Sequence, residues 1–242
     1  MKVTARVPKI RGAAAASPEF WHAVSIMCTA RGWDPGAIAA VMSLESAGTY
    51  AADAGWRQWS PKRTATGLIQ FIESTARRLG VARAATCDAH PELTARGDGK
   101  TWATWTLMLQ SPIEQLRLVE SYYLAVVGGP DGSWRPVDYY LATWGSLPGR
   151  PMTDVLAERE GAGKTLYAGN VALDRDKDGK IEVSDLDASI VEQYPTEWYS
   201  VDFEAPDAEV LTPSERTAKG GFVLFSAGLL VATTAAYLWL RK

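Results

Sequence analysis

From Pro18 to Arg150 apolar residues recur every three to four positions, and the recurrence is interrupted by cap and stop signals. Ser17-Pro18-Glu19 sets a hydroxyl cap before a proline at the first helical position and predicts a helix over 20–31, stopped by Gly32. Asp34-Pro35 repeats the signal, and Ile38, Val41 and Met42 form one stripe, predicting a second helix to Glu45 with Gly48 as terminator. Further helices are expected over 72–79, closed by Gly80, over 112–127 after Ser111, and over 137–143, ending at Gly145. Between them, 49–66 loses periodicity among Gly, Ser, Pro and Arg and reads as a long surface loop. No run sustains the two-residue alternation of a strand, so the expected fold class is mainly α.

The two ends depart from this pattern. Residues 220–240 carry no charge and are apolar on every face, with Lys219 before them, Arg241-Lys242 after them, and Tyr237 and Trp239 near one boundary. At 1.5 Å per residue such a run spans about 30 Å, a bilayer core, and predicts a single C-terminal transmembrane helix with its end on a cytoplasm-like side. Gly228, Ala232 and Ala236 form a small-residue stripe of the kind that packs helix on helix. Residues 194–219 hold Pro195, Pro206 and Pro213 among mostly acidic charges and read as an extended tether. Residues 1–17 carry Lys2, Arg6, Lys9 and Arg11 and read as a basic, solvated arm. That stretch has no apolar core of a secretory signal, so export is expected to take another route. The domain reading is therefore an arm at 1–17, a helical core at 18–150, an appended segment at 151–193, a tether at 194–219 and a membrane span at 220–240; no internal repeat interrupts it.

Composition narrows the chemistry. With 47% hydrophobic residues in 242, one medium core is affordable, and a net charge of −3 gives no basic field, so nucleic acid is not an expected partner. Cys28 and Cys87 permit at most one bridge and leave the redox compartment open. His22 and His90 are too few for an imidazole metal centre and read as surface or packing residues. Oxygen ligands are better supplied. Residues 174–185 space them as an EF-hand loop does: Asp174, Asp176 and Asp178 at positions one, three and five, Gly179 at six, the Lys180 carbonyl at seven, Glu182 at nine and Asp185 at twelve. Asp185 stands where a longer Glu is usual. A structural Ca2+ is the one expected cofactor, and a short helix over 184–193 follows the loop.

Glu45 lies seven residues after Ile38, four after Val41 and three after Met42, so it continues the apolar stripe. Desolvation there raises a carboxyl pKa, as a general acid requires, although the same spacing also suits a helix-end glutamate reaching water past Gly48. The surrounding blocks add to this. Glu45-Ser46 is followed by Gly67-Leu68-Ile69-Gln70-Phe71, Thr75-Ala76 and Leu79-Gly80, then Gln115-Leu116, residues 120–124, Tyr139-Tyr140-Leu141-Ala142, residues 167–170 and Leu173-Asp174. In that order, over roughly 20–186, they resemble the lysozyme-like lytic transglycosylases (SLT-type) of phages and proteobacteria.

The resemblance implies a lysozyme-like helical domain that cleaves the β-1,4 bond between MurNAc and GlcNAc in peptidoglycan. Glu45 would protonate the glycosidic oxygen and then deprotonate the muramoyl 6-hydroxyl, which closes a 1,6-anhydro ring with help from the muramoyl N-acetyl group. It further implies that Ser46 sits beside the acid, that Gln70 and a tyrosine from the pair Tyr139 and Tyr140 line the sugar cleft, and that Gly67 permits close backbone approach. Tyr140-Leu141-Ala142 replaces the family's Ala-Tyr-Asn, and Ile72-Glu73 its Met-Pro, so the groove is expected to differ locally. Two other readings stand beside this one: a hydrolytic lysozyme using Asp53 as a second carboxylate, and a non-catalytic wall-binding or virion structural protein. Trp56 and Trp59, two of ten tryptophans, either stack on sugars or anchor the loop. The expected setting is a single-pass membrane protein facing the cell wall, either tail-anchored in a bacterium or, the preferred reading, in a virion membrane during phage entry. Its partners are then glycan strands, the lipid bilayer through 220–240, and neighbouring virion membrane proteins.

Overall fold

Capping chemistry places the helices. In a computed structural model describing residues 1–55, 65–82, 84 and 102–204, the Ser17 hydroxyl accepts from the Phe20 N–H at 3.3 Å and opens α1 (Pro18–Arg31), which Gly32 closes with a φ of 67°. Asp34 Oδ1 accepts from the N–H groups of Gly36 at 2.7 Å and Ala37 at 3.3 Å and opens α2 (Pro35–Glu45). Then come α3 (Glu73–Arg78), α4 (Trp102–Met108), α5 (Pro112–Val127) and α6 (Pro136–Thr143). A reciprocal Ser111–Glu114 capping box starts α5. After β2 (Val155–Glu158), α7 (Lys164–Asn170), β3 (Lys180–Glu182) and α8 (Val183–Gln193), the described chain ends in β4 (Trp198–Glu204).

Helices dominate, as the periodicity predicts, and α2 lies at their centre. Every residue from Gly36 to Ser43 is buried, so this helix has no solvent face over that stretch. It packs against α8 and α6, which also pack against each other, and against α1. Each Ile, Val or Met so enclosed contributes about 1.5–3 kcal/mol of apolar transfer. Asp138, 2% exposed, braces α6: its carboxylate accepts from Arg135 and from the Gly149 N–H at 2.8 Å. Burial opposes its ionisation, and these donors outweigh that, holding it below the usual carboxylate range.

The expectation of no strands does not hold. The supposed arm contains β1 (Lys2–Pro8), paired antiparallel with β4 from Lys2↔Glu204 to Pro8↔Trp198. Ala5 and Val7 are buried and β1 packs on α1, while Lys2 meets Asp202 at 3.3 Å and Lys9 meets Glu197 at 2.9 Å. The basic start and the acidic stretch after 194 are thus two edges of one ribbon, and the tether reading fails over 194–204. Tyr194 also donates its hydroxyl to Asp34 Oδ2 at 2.8 Å, and Phe203 meets His22 edge-on at 5.7 Å. A second ribbon pairs β2 with β3. The segment 151–193 is no appendage either, because α8 belongs to the central packing and Lys2–Glu204 forms one compact unit.

No helix among the described residues is long and apolar enough to cross a membrane. The span expected at 220–240, the rest of the tether, Trp56, Trp59, Cys87 and His90 lie outside the described residues. Cys28 is a buried thiol, pushed up to about 12 by its burial.

The ribbon is tested by Ala5→Lys. With Ala5 1% exposed, the charge should cost about 3 kcal/mol in a chemical denaturation of the full chain, whereas a solvated arm would tolerate it within about 0.5 kcal/mol.

Candidate active site

Glu45 is the last residue of α2, at the point where the buried helix gives way to a loop. The residue as a whole is half-buried, and removal of its carboxyl from water pushes the pKa from 4.5 to about 7, against a hydrogen bond from Tyr140 that favours the ionised form. Tyr140 belongs to α6, is 5% exposed, and is held well above the ordinary phenol range by burial and by the neighbouring carboxylate. Acid and phenol are therefore brought together by the packing of α2 on α6.

In front of Glu45 is a cleft of about 380 Å³, lined by Ser46, Ala47, Thr49, Ala51, Asp53, Ala54, Gly55 and Gln70. Its far wall is a tight turn in which Thr66 and Phe71 exchange backbone hydrogen bonds at 3.0 and 2.9 Å. Gln70 takes a φ of 53°, uncommon for a side-chain-bearing residue. Its Nε2 donates to the carbonyls of Ala54 at 3.0 Å and Gly67 at 3.1 Å, which uses both amide hydrogens. Among the described residues no donor reaches its oxygen Oε1, the acceptor of this amide. Gln70 also lines a smaller hollow of about 100 Å³ with Ile69, Phe71, Ile72, Thr75, Tyr122 and Thr143.

The turn is positioned by Gln115, which is fully buried in α5. Its Oε1 accepts from the Leu68 N–H at 3.1 Å, and its Nε2 donates to the carbonyls of Ala52 at 2.9 Å and Leu107 at 2.8 Å. One amide thus ties the loop below Glu45, the turn bearing Gln70, and α4 to a single point. Gly67 is required here: its φ is 91°, and a Cβ would lie 2.3 Å from Gln115 Oε1. Its glycine therefore serves the buried amide, where the resemblance implies approach to substrate. The sequence reading gave Gln115 no role. The signal was present, since Gln115 shares the stripe of Val119, Tyr122 and Tyr123, all buried, and a glutamine in such a stripe needs internal partners.

The remaining candidates separate. Ser46 borders the cleft, but its hydroxyl donates to the Met42 carbonyl at 2.6 Å and accepts from the Tyr50 N–H at 3.0 Å, so it fixes the end of α2. Tyr139 is not on the cleft: it is 2% exposed, and its hydroxyl accepts from the Asp34 N–H at 2.9 Å. Glu73, also without an assigned role, is 9% exposed and accepts from the N–H groups of Ala103 and Thr104, both at 3.0 Å, at the start of α4. Asp174, Asp176 and Asp178 converge, whereas Asp185 stands apart from that cluster. The Asp185 oxygens accept from the N–H groups of Arg175 at 3.2 Å and Glu182 at 2.8 Å, because its short arm meets the start of α8 first. Lys180 and Glu182 are the ends of β3, and the Lys180 N–H donates to Asp178 Oδ1 at 2.8 Å.

Backbone strain follows the same map. The described side-chain-bearing residues with positive φ are Ala47, Tyr50, Gln70 and Lys177. Ala47 and Gln70 line the cleft, Tyr50 is buried between its lining residues Thr49 and Ala51, and Lys177 lies in the acidic loop; such strain persists where the surroundings over-determine it.

Gln115→Met keeps the volume and removes every polar atom. It should cost about 3–5 kcal/mol, since three buried backbone groups lose their partner, and equilibrium unfolding in urea measures it; a loss below about 1 kcal/mol would mean that the clamp is dispensable.

Against known proteins, no family model matches this chain and no curated protein matches it, so the site must be read from its own geometry.

Proposed function

We propose that the chain is a peptidoglycan lytic transglycosylase with a lysozyme-like core, cleaving the MurNAc-GlcNAc β-1,4 bond and leaving 1,6-anhydro-muramoyl ends. The observation that carries this reading is Glu45: a carboxyl with its pKa raised to about 7, lining a cleft of about 380 Å³ that Gln70 also lines. An acid poised near neutrality suits both halves of the reaction. In the first half Glu45 donates its proton to the glycosidic oxygen as the C1–O bond breaks, and the muramoyl N-acetyl oxygen bonds to C1. In the second, the carboxylate takes the proton of the muramoyl 6-hydroxyl, whose oxygen attacks C1 and displaces the N-acetyl oxygen. No water is consumed and the acid returns to its starting state.

Tyr140 acts through Glu45 as a positioning residue, its hydrogen bond steadying the carboxylate between the two halves. Gln70 offers Oε1 to a sugar hydroxyl or amide N–H, and it lines both the cleft and the smaller hollow. Beyond residue 204, the uncharged run 220–240 supports a membrane anchor that holds the cleft near the wall, in the setting of phage entry through a virion membrane. Neighbouring membrane proteins of the particle are the further partners in that setting.

A second reading has its own support. Asp53 is half-buried and lines the same cleft as Glu45, where a hydrolytic lysozyme would want a second carboxylate.

Digestion of purified peptidoglycan with mass analysis of the fragments separates the readings. Anhydro-muramoyl ends are expected, with at least a thousandfold loss in Glu45→Gln and little change in Asp53→Asn. Free reducing ends lost in Asp53→Asn would establish the hydrolase, and no release by the folded wild type would leave a wall-binding or virion structural protein. The pH profile adds a signed test. Activity needs protonated Glu45 and should fall as pH rises through about 7. Since the Tyr140 hydrogen bond lowers the Glu45 pKa, Tyr140→Phe should move that limb to higher pH. An unmoved limb would contradict the pairing.

A further inference from the structure

Outside the cleft, Asp174, Asp176 and Asp178 each bring one carboxylate oxygen within 4.8 Å of the others. Asp176 and Asp178 are exposed, but Asp174 is 6% exposed. Its two oxygens differ in their surroundings. Oδ2 accepts from the Tyr167 hydroxyl and from the Gly179 N–H at 3.1 Å. Oδ1 is buried and has no hydrogen-bond partner among the described residues; the Lys177 N–H and the Arg159 guanidinium favour the ionised carboxylate from nearby, but neither is seated on Oδ1, a costly state for a carboxylate oxygen unless something else meets it. A hard cation would meet Oδ1 and at the same time remove the mutual repulsion of three acids at this spacing.

The loop also leads directly into a helix on which the cleft depends. Asp185 ties the two together, accepting from Arg175 inside the loop and from Glu182 at the helix start. Downstream, Leu186 and Ile190 are fully buried, and α8 packs on both α2 and α6, the helices that carry Glu45 and Tyr140. At its far end Gln193 Oε1 accepts from the Ser43 hydroxyl of α2 at 2.9 Å.

We infer that the 174–185 loop seats one divalent cation of the calcium class on Asp174, Asp176 and Asp178, and that the cation clamps α8 against the two helices bearing Glu45 and Tyr140. With Asp185 committed to backbone donors, the site lacks the bidentate twelfth ligand of a tight EF-hand. Its affinity for Ca2+ therefore falls in the class of about 10⁻⁴–10⁻³ M. Calcium is preferred over magnesium because a flexible set of carboxylates does not impose the strict octahedron that magnesium demands.

The test uses the full chain in nonionic detergent, stripped of divalent ions and titrated with Tb3+, then competed with Ca2+ or Mg2+. One saturable Tb3+ site is expected, displaced by Ca2+ at concentrations at least about tenfold lower than by Mg2+. Calcium at a hundredfold excess over its Kd should raise Tm by about 5–10 °C. It should also slow hydrogen exchange at Leu186 to Ile190 at least about tenfold. Asp178→Ala, which removes the ligand oxygen at an exposed position, should abolish all three effects. A flat titration, equal binding by Asp178→Ala, equal competition by Mg2+, or binding that leaves Tm and α8 exchange unchanged would each overturn the inference. None of these readouts depends on wall cleavage, so loss of the transglycosylase reading would leave this one standing, and the reverse.

Discussion

The amide of Gln115 is the constraint on which the cleft depends. It serves three backbone groups from three separate stretches, at Ala52, Leu68 and Leu107, and does so where water is excluded. A buried donor or acceptor left without a partner costs more than an ordinary hydrogen bond contributes, so these segments are held together as a set. The consequences run outward. Gly67 has to be glycine, the turn from Thr66 to Phe71 takes a fixed orientation, and Gln70 is held in a positive-φ conformation with its amide hydrogens already used.

The other side of the cleft is built by packing. The buried run of α2 delivers Glu45 at its last turn, and the seating of α6 on α2 delivers Tyr140. Desolvation and the Tyr140 hydrogen bond act on the carboxyl in opposite directions, and desolvation wins, leaving the pKa at about 7. A carboxyl balanced there can give a proton and take one back, the property the proposed reaction asks of one residue acting alone. The helix α8 closes this arrangement from behind, and the acidic loop that starts it links the chemistry of 174–178 to the geometry of α2 and α6.

Much of this was legible from local signals. Ser17, Asp34 and Ser111 announce α1, α2 and α5 because a cap acts within three residues of itself. The apolar stripe before Glu45 carried the desolvation argument, and the spacing of three aspartates located the acidic cluster. Long-range pairing was not legible. Lys2 finds Glu204 across the whole described chain, and the alternation of Ala5 and Val7 was too short to outweigh the charges that suggested an arm. Tyr139 and Tyr140 are adjacent in sequence, yet a helix turns about 100° between them, and only the packing of α6 decides which meets Glu45. Ser46 and Gly67 were visible as residues but not in their roles, because their partners, Met42, Tyr50 and Gln115, become neighbours only in the fold.

Glu45 keeps its proton near neutral pH because the fold removes its carboxyl from water. Carbon-13 NMR of the side-chain carboxyl in chain labelled at glutamate, with Glu45→Gln identifying the resonance, measures that proton directly. A titration centred at about pH 7 is expected. A midpoint at the ordinary glutamate value of 4.5 would contradict it.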